Sequence, residues 1–327
     1  MNRIFSGVQP TGSLHAGNYY GAVRRWAELD EAEGPACLFC IADYHAITME
    51  HEPARLAADT LNLAAELLAC GVGRRGLLFA QSHVPAHMEL AWILASVAAF
   101  GDLTRMTQFK EKAAQRGGAS AALFTYPVLM AADVLAYRAG RVPVGEDQLQ
   151  HLELARSLAR RFNRRYGELF PEPQGLLSSA PRIMSLADPS RKMSKSGGDK
   201  HVLGVFEEEA ALRSKIRAAV TATSPRPGQA APGVSNLLLL LEQAAPAQAA
   251  ALRLEEAAGR LRYAPLKEAV AEALVRDFGP LRERRARLSE RDVEAALAYG
   301  AAAARELSAE TLRQARLRLG LLPLPLL

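Results

Sequence analysis

The chain of 327 residues is 49% apolar and 23% charged, the make-up of a globular protein with room for a well-buried core and two domains. Its formal net charge of +5 suits a polyanionic partner and equally suits a solvated, arginine-rich surface. Three cysteines argue against a disulfide framework, and no run is apolar enough for a leader or a bilayer span, so the expectation is a cytoplasmic enzyme with no membrane partner.

Along the chain, "RIFSGV" (3–8), "ACLFCIAD" (36–43), "GLLFAQS" (76–82) and "GRVPVG" (140–145) read as short buried strands bounded by Gly or Pro. Between them 17–33, 53–70 and 86–100 carry apolar residues at helical spacing. Strand alternating with helix predicts a doubly wound, Rossmann-like parallel α/β sheet, with ligands at the carboxyl ends of the strands. Cys37 and Cys40 form a CxxC inside a strand, where the spacing turns them to opposite faces, and no second pair completes a zinc set, so no protein metal site is expected. "EDQLQHLELARSLARRFNRRYG" (146–167) reads as a helix closing at Gly167. A Pro/Gly/Ser-rich stretch (171–181) and the loop-like "SLADPSRKMSKSGGDK" (185–200) follow, and from about 206 the pattern is almost wholly helical. The expected division is a Rossmann-like domain over 1–185, a loop and linker over 186–204, and an all-helical domain over 205–327.

The first strand-to-helix crossing, "QPTGSLHAGNYYGA" (9–22), concentrates small and polar residues. Gly12 supplies a tight turn. Gly17 and Asn18 open a helix whose free N–H groups and partial positive charge can receive a phosphate, and Gly17 lets a flat group approach the backbone. His15 and Asn18 can donate to phosphate oxygens. The segment is neither GxGxxG nor a P-loop. Far along the chain, "KMSKS" (192–196) puts Lys192 and Lys195 on a Ser/Gly-rich loop, where mobile ammonium groups suit developing charge on a phosphate chain.

"HAGN" and "KMSKS" resemble the paired signatures of class I aminoacyl-tRNA synthetases. The resemblance narrows to bacterial tryptophanyl-tRNA synthetases through "DYHAIT", "RMTQFKEK", "TYPVLMAAD", "VPVGEDQLQHLELAR", "RIMSLADPSRKMSKS" and "PGVSNLL", in order from residue 5 to about 240. It implies activation of L-tryptophan by ATP, with Mg²⁺ on the phosphates, and transfer of tryptophan to tRNA(Trp) by a homodimer whose helical domain reads the anticodon. In-line attack of the amino-acid carboxylate on the α-phosphorus needs no protein nucleophile, so the absence of a Ser–His–Asp pattern is expected.

By the same resemblance Gln9, Pro10, Thr11, Gly17 and Asn18 meet the nucleotide, and Gly145, Glu146 and Asp147 hold its ribose and adenine. Ile183 contacts adenine, and Lys192, Met193, Ser194, Lys195 and Ser196 form the closing loop. His15, Asn18, Lys192 and Lys195 act on the transition state, and Lys112 is a further candidate at the phosphates. His15 stands where many tryptophan enzymes carry Thr, and "GGDK" (197–200) replaces the usual acidic residue and Pro. Tryptophan presents one polar side-chain atom, the indole N–H donor, so its pocket needs one buried acceptor in an apolar wall. Asp133 matches that acceptor, with Phe5, Met130, Val142 and Val144 as walls, and His45, Tyr126 and Gln148 hold the amino and carboxylate groups. A tyrosine enzyme would instead need polar partners for a phenol oxygen where this chain reads "LMAAD". The arginines of "RERRARLSER" (282–291) and "RQARLRLG" (313–320) are candidates to follow RNA phosphate, and "AAFGDLTRMTQFKEK" (98–112) is the expected dimer interface.

Overall fold

A computed structural model describes residues 2–107, 120–145, 148–177, 181–221 and 231–322. Among these, five strands form one parallel sheet: β1 (Ile4–Val8), β2 (Cys37–Ile41), β3 (Leu77–Ala80), β4 (Arg141–Val144) and β5 (Gln174–Leu177), in spatial order β3-β2-β1-β4-β5. The four expected strands occur where their apolar runs place them. β5 lies within the stretch read only as Pro/Gly/Ser-rich. It is an edge strand that pairs with β4 alone, from Arg141↔Gln174 to Val144↔Leu177, and its part-exposed residues carry no apolar run.

Alternation along the strands divides the core in two. Ile4, Cys37, Phe39, Ile41 and Leu78 face one cluster, whereas Phe5, Leu38, Cys40, Leu77 and Phe79 face the other. Cys37 and Cys40 thus point to opposite faces, as their spacing requires, and both are buried free thiols. The first cluster is covered by Trp26 and Leu29 of the helix Arg24–Glu33 and by Leu63 and Leu67 of the helix Pro53–Cys70. The second is covered by Leu90 and Leu94 of Ala86–Ala95, Val128 and Leu135 of Ala121–Leu135, and Leu158 and Phe162 of Leu149–Tyr166. Packing on both faces explains why these strands read as continuous apolar runs.

The carboxyl-terminal helices do not stand wholly apart from this sheet. In the helix Tyr263–Arg287, Phe278 meets Tyr19 and Tyr20 edge-on or tilted, and Tyr20 Oη donates to Asp277 Oδ2 at 2.6 Å. The final helix Glu290–Leu319 runs along β3, placing Val293 and Leu297 in the first cluster and Ala301, Ala304 and Ala315 in the second. It straddles the exposed sheet edge and covers it. A Cβ on Gly300 would lie 2.0 Å from Leu78 O, so only glycine allows this approach.

Gly300→Ala should therefore lower stability by about 1–3 kcal/mol through overpacking against backbone. Gly279→Ala, whose added Cβ meets nothing within 4 Å, should not. Thermal unfolding of the two variants, compared with the parent chain, provides the check.

Candidate active site

The strand order reverses between β1 and β4, and the ladder there is brief. Ile4 pairs with Arg141, after which Pro143 has no N–H to give, and Ser6 Oγ reaches Pro143 O at 3.2 Å instead. The separation opens a cavity of about 320 Å³ at the carboxyl ends of both strands. Its lining includes Phe5, His45, Tyr126, Met130, Asp133, Val142, Val144 and Gln148, all eight residues expected for the amino-acid pocket, together with Gln9, Gly145 and Trp26. Glu146, Asp147 and Lys112 lie outside the described residues, as does the side chain of Ser196.

Asp133 is 4% exposed and heavily hydrogen-bonded. Its Oδ2 accepts from His45 Nε2 at 2.8 Å; its Oδ1 accepts from Gln81 Nε2 at 2.6 Å and from His87 Nδ1 at 2.7 Å. Burial works against its charge, but the His45 and His87 contacts outweigh burial and hold the carboxyl below the usual carboxylate range. His45 is thereby turned onto Asp133, and Tyr126 Oη bonds His151 Nε2 at 2.7 Å. Gln81 and His87 carried no assignment in the sequence. Their signal was position: polar residues just past the carboxyl end of β3, beside the strands that hold the pocket.

The first crossing and the lysine loop meet. Lys195 Nζ donates to Thr11 O at 2.9 Å, and both line a cleft of about 460 Å³ with Gly12, His15 and Arg55. Gln9 lines the cavity and a neighbouring groove that Pro10, Thr11 and Arg55 share, so the lined surface runs from Asp133 toward Lys195. The segment after the loop is zipped onto the crossing: Ala16 N donates to Leu203 O at 2.8 Å and Val205 N to Leu14 O at 3.0 Å. Composition suggests an exposed loop, and Lys192 and Ser194 are exposed, but Met193 is buried and its N–H donates to Ile183 O at 3.1 Å. Ile183 itself is 1% exposed, packs in the core with Met193, and lines neither the cavity nor the clefts.

His15 caps the helix that begins at Ala16. Its Nδ1 accepts from Asn18 N and Asn18 Oδ1 accepts from His15 N, each at 3.3 Å. That occupies Nδ1 as an acceptor and leaves the proton of the neutral ring on Nε2. A Cβ on Gly17 would come within 3.0 Å of the imidazole, so glycine leaves the ring its place. Burial, then Lys195 and Lys192, lower the His15 pKa to about 4. At neutral pH His15 is an uncharged donor beside two cations.

Beneath the turn lies Glu66, 2% exposed, which accepts from Leu14 N at 2.6 Å and from Asn62 Nδ2 at 3.0 Å. Burial raises its pKa, opposed by these bonds. Its signal in the sequence was a carboxylate on the apolar stripe of Leu63, Leu67 and Cys70. The arginines expected to face RNA are in part spent inside the protein. Arg284 Nε donates to Ala69 O, Arg285 to Asn62 Oδ1 and Arg282 to Glu207 O, while Arg316 pairs with Glu89. Arg284, Arg285 and Arg316 fasten the terminal helices to the sheet-bearing body, their stems reaching across the seam, whereas Arg282 is held on the segment just before the helix Glu209–Ala218.

A parallel sheet split at its reversal point, with a glycine turn and a lysine loop converging at the split, is the architecture of a class I nucleotide-activating fold. The family model for class I tRNA synthetases of the W and Y type matches residues 1–279, and the chain belongs to that family of aminoacyl-tRNA synthetases. Within it the chain groups with the bacterial tryptophan–tRNA ligases. It is 45% identical over 332 residues to tryptophan–tRNA ligase 2 of Streptomyces avermitilis, covering 98% of this chain and 97% of that one. The tryptophanyl-tRNA synthetase of Mycoplasma pneumoniae superimposes with a TM-score of 0.85 at 33% identity over 98% of both chains. That of Campylobacter jejuni, complexed with ADP and tryptophan, superimposes at 0.84 with 30% identity, over 98% of this chain and 100% of that one.

In the folded protein the His15 imidazole should titrate near pH 4, against 6.5 for an unperturbed ring, followed by its carbon-bound proton shifts. Between those values the unfolded chain binds a proton that the folded chain does not, so this residue makes the fold lose stability as pH falls through that window. A midpoint at the ordinary value would mean that the ring is neither buried nor approached by the two lysines.

Proposed function

We propose that the chain joins L-tryptophan to ATP, giving tryptophanyl-adenylate and pyrophosphate, and then passes tryptophan to the 3′ end of tRNA(Trp), with the following division of labour. The observation that carries this reading is the convergence of Lys195 on Thr11 at one end of a lined surface whose other end holds the buried Asp133. A tryptophan carboxylate oxygen attacks the α-phosphorus, the bond from that phosphorus to the bridging oxygen breaks, and pyrophosphate leaves. Catalysis then rests on alignment and on charge stabilisation.

Gln9 to Thr11, with the helix start at Gly17 and Asn18, cradle the nucleotide. Neutral His15 donates through Nε2 to a phosphate oxygen. Lys195, whose pKa burial lowers, is less hydrated than a surface ammonium and exchanges Thr11 O for pyrophosphate oxygens, joined by Lys192. The acidic residues of this cleft, Asp199 and Glu207, are ion-paired to Lys215 at 2.6 and 2.5 Å. Mg²⁺ accordingly enters as part of the substrate, held by ATP oxygens and water. Phe5, Met130, Val142 and Val144 enclose the indole and Asp133 accepts its N–H. An amino acid lacking that donor would leave the buried carboxylate short of a partner, which is the basis of rejection.

Tryptophan-dependent exchange of pyrophosphate into ATP is the direct test, with tyrosine and phenylalanine as comparison substrates. Lys195→Ala should slow adenylate formation by about 10²–10³-fold, as for loss of one preorganised charge-stabilising donor, while tryptophan affinity stays essentially unchanged. Equal losses in both would remove Lys195 from the leaving-group role, and absence of exchange would leave only a non-catalytic reading.

Transfer to tRNA(Trp) and a homodimer complete the proposal, in a protein placed in the cytoplasm with translation. Among the described residues no helix is long and apolar enough to cross a membrane. Trp92 is 81% exposed and lies one turn from the exposed Met88, and Phe100 in the expected interface block is 72% exposed, an apolar surface suited to a second copy. Trp92→Glu with Phe100→Glu should move the sedimentation coefficient from that of a dimer to that of a monomer. An unchanged dimer would place the interface elsewhere.

A further inference from the structure

Asp133 does not share its three protein hydrogen bonds evenly. Oδ1 takes two, from Gln81 and His87, and Oδ2 takes one, from His45. A carboxylate offers about four lone-pair sites, so the remaining capacity lies on Oδ2. His45 and Asp133 line the cavity, whereas Gln81 and His87 stand behind its wall.

Both rear donors are themselves held. Gln81 Oε1 accepts from Tyr44 N at 3.1 Å, which fixes the amide with its nitrogen toward Asp133. His87 Nε2 bonds Tyr137 Oη at 2.8 Å, and Tyr137 is fully buried and stacked on Phe5 at 5.6 Å. The tyrosine hydroxyl donates to Nε2, so the proton of the neutral imidazole lies on Nδ1, facing Asp133. Phe5 is both a cavity wall and the ring that holds this tyrosine, which links the apolar wall to the polar network.

We infer that His87 is a positioning residue for amino-acid selection: with Gln81 it occupies Asp133 Oδ1, and so directs an incoming ring N–H to Oδ2. The inference rests on the reading of Asp133 as the indole acceptor. A core of this size would be as stable with apolar residues in place of a carboxylate and its buried donors. The network makes sense when the carboxylate must stay ionised and aimed while no amino acid is bound. Three donors satisfy it in the empty pocket and one acceptor site is left for substrate. Tyr137 acts one step further back, by fixing which nitrogen of His87 carries the proton.

The test compares His87→Leu, His87→Asn, Tyr137→Phe and Asp133→Asn in amino-acid-dependent pyrophosphate exchange. The substrates are tryptophan and its 3-benzothienyl analogue, in which sulfur replaces the ring N–H. His87→Leu should lower the ratio of kcat/KM for tryptophan over the analogue by about 10- to 100-fold, the worth of one hydrogen bond to a charged group. The loss should appear in KM for tryptophan, with KM for ATP unchanged. His87→Asn keeps an amide donor within reach of Oδ1 and should restore most of the ratio, and Tyr137→Phe should fall between. Equal losses for both substrates, or no rescue by Asn, would overturn the positioning role. Should His87→Leu not fold, an unchanged ratio in Tyr137→Phe overturns it as well. Because Asn keeps an acceptor oxygen, Asp133→Ala is assayed beside it: an unchanged ratio in Asp133→Ala would remove the indole acceptor itself, whereas a ratio that falls there but not in His87→Leu sinks this inference alone.

Discussion

Strands β1 and β4 are joined at their beginnings and part at their ends, and the working regions of the molecule stand on that divergence. The strand order reverses there, so the connections leave on opposite faces, and among the described residues a cavity stands at the gap. Pro143 cannot continue the ladder, and a serine hydroxyl, not a backbone amide, spans the distance. The gap becomes a cavity walled by strand residues and by Tyr126, Met130 and Asp133 of the helix Ala121–Leu135, elements held in place by the core packed behind them. Catalytic precision of the class I kind requires such walls, since a reaction with no protein nucleophile depends on alignment.

The charges around the cavity are arranged with economy. Among the described residues a single buried carboxylate lines the apolar slot, and three donors make its ionisation tolerable. At the other end the crossing turn sets an uncharged imidazole beside the ammonium group of Lys195, which is held on Thr11 O. Glu66 under the turn binds a backbone N–H and lies within electrostatic reach of Lys195, so it holds the turn and steadies the lysine's charge from behind. Asn62 connects that carboxylate to Arg285 of the helix Tyr263–Arg287, making the first crossing and the helical region neighbours through two side chains.

Covering helices matter as much as the sheet. The final helix lies along β3 with a glycine at the closest approach, which hides the edge and ties this helix to the sheet. Aromatic contacts of Phe278 with Tyr19 and Tyr20 seat the preceding helix on the first crossing. Motion of the helical region relative to the sheet would therefore be felt directly at the residues that follow His15.

The sequence by itself determined the features that depend on neighbours along the chain. β2 and β3 were legible because they are buried throughout and run apolar, and β1 and β4 because short apolar stretches there are bounded by Gly or Pro. The helix closing at Gly167, the opposed faces of Cys37 and Cys40, and the eight cavity residues were legible for the same reason or through ordered motifs. What only the tertiary structure decided involves distant partners. β5 is a strand because β4 lies beside it, not because its residues favour one. Gln81, His87 and His45 reach Asp133 from 52, 46 and 88 positions away, and spacing carries no trace of which oxygen each takes. Arg284 and Arg285 read as a polyanion surface until the fold turns them onto a carbonyl and an amide of the adjoining body, and Arg282 onto the carbonyl of Glu207. A side chain's composition and period fix the face it occupies on its own element; the group that meets it there is set by how the elements pack.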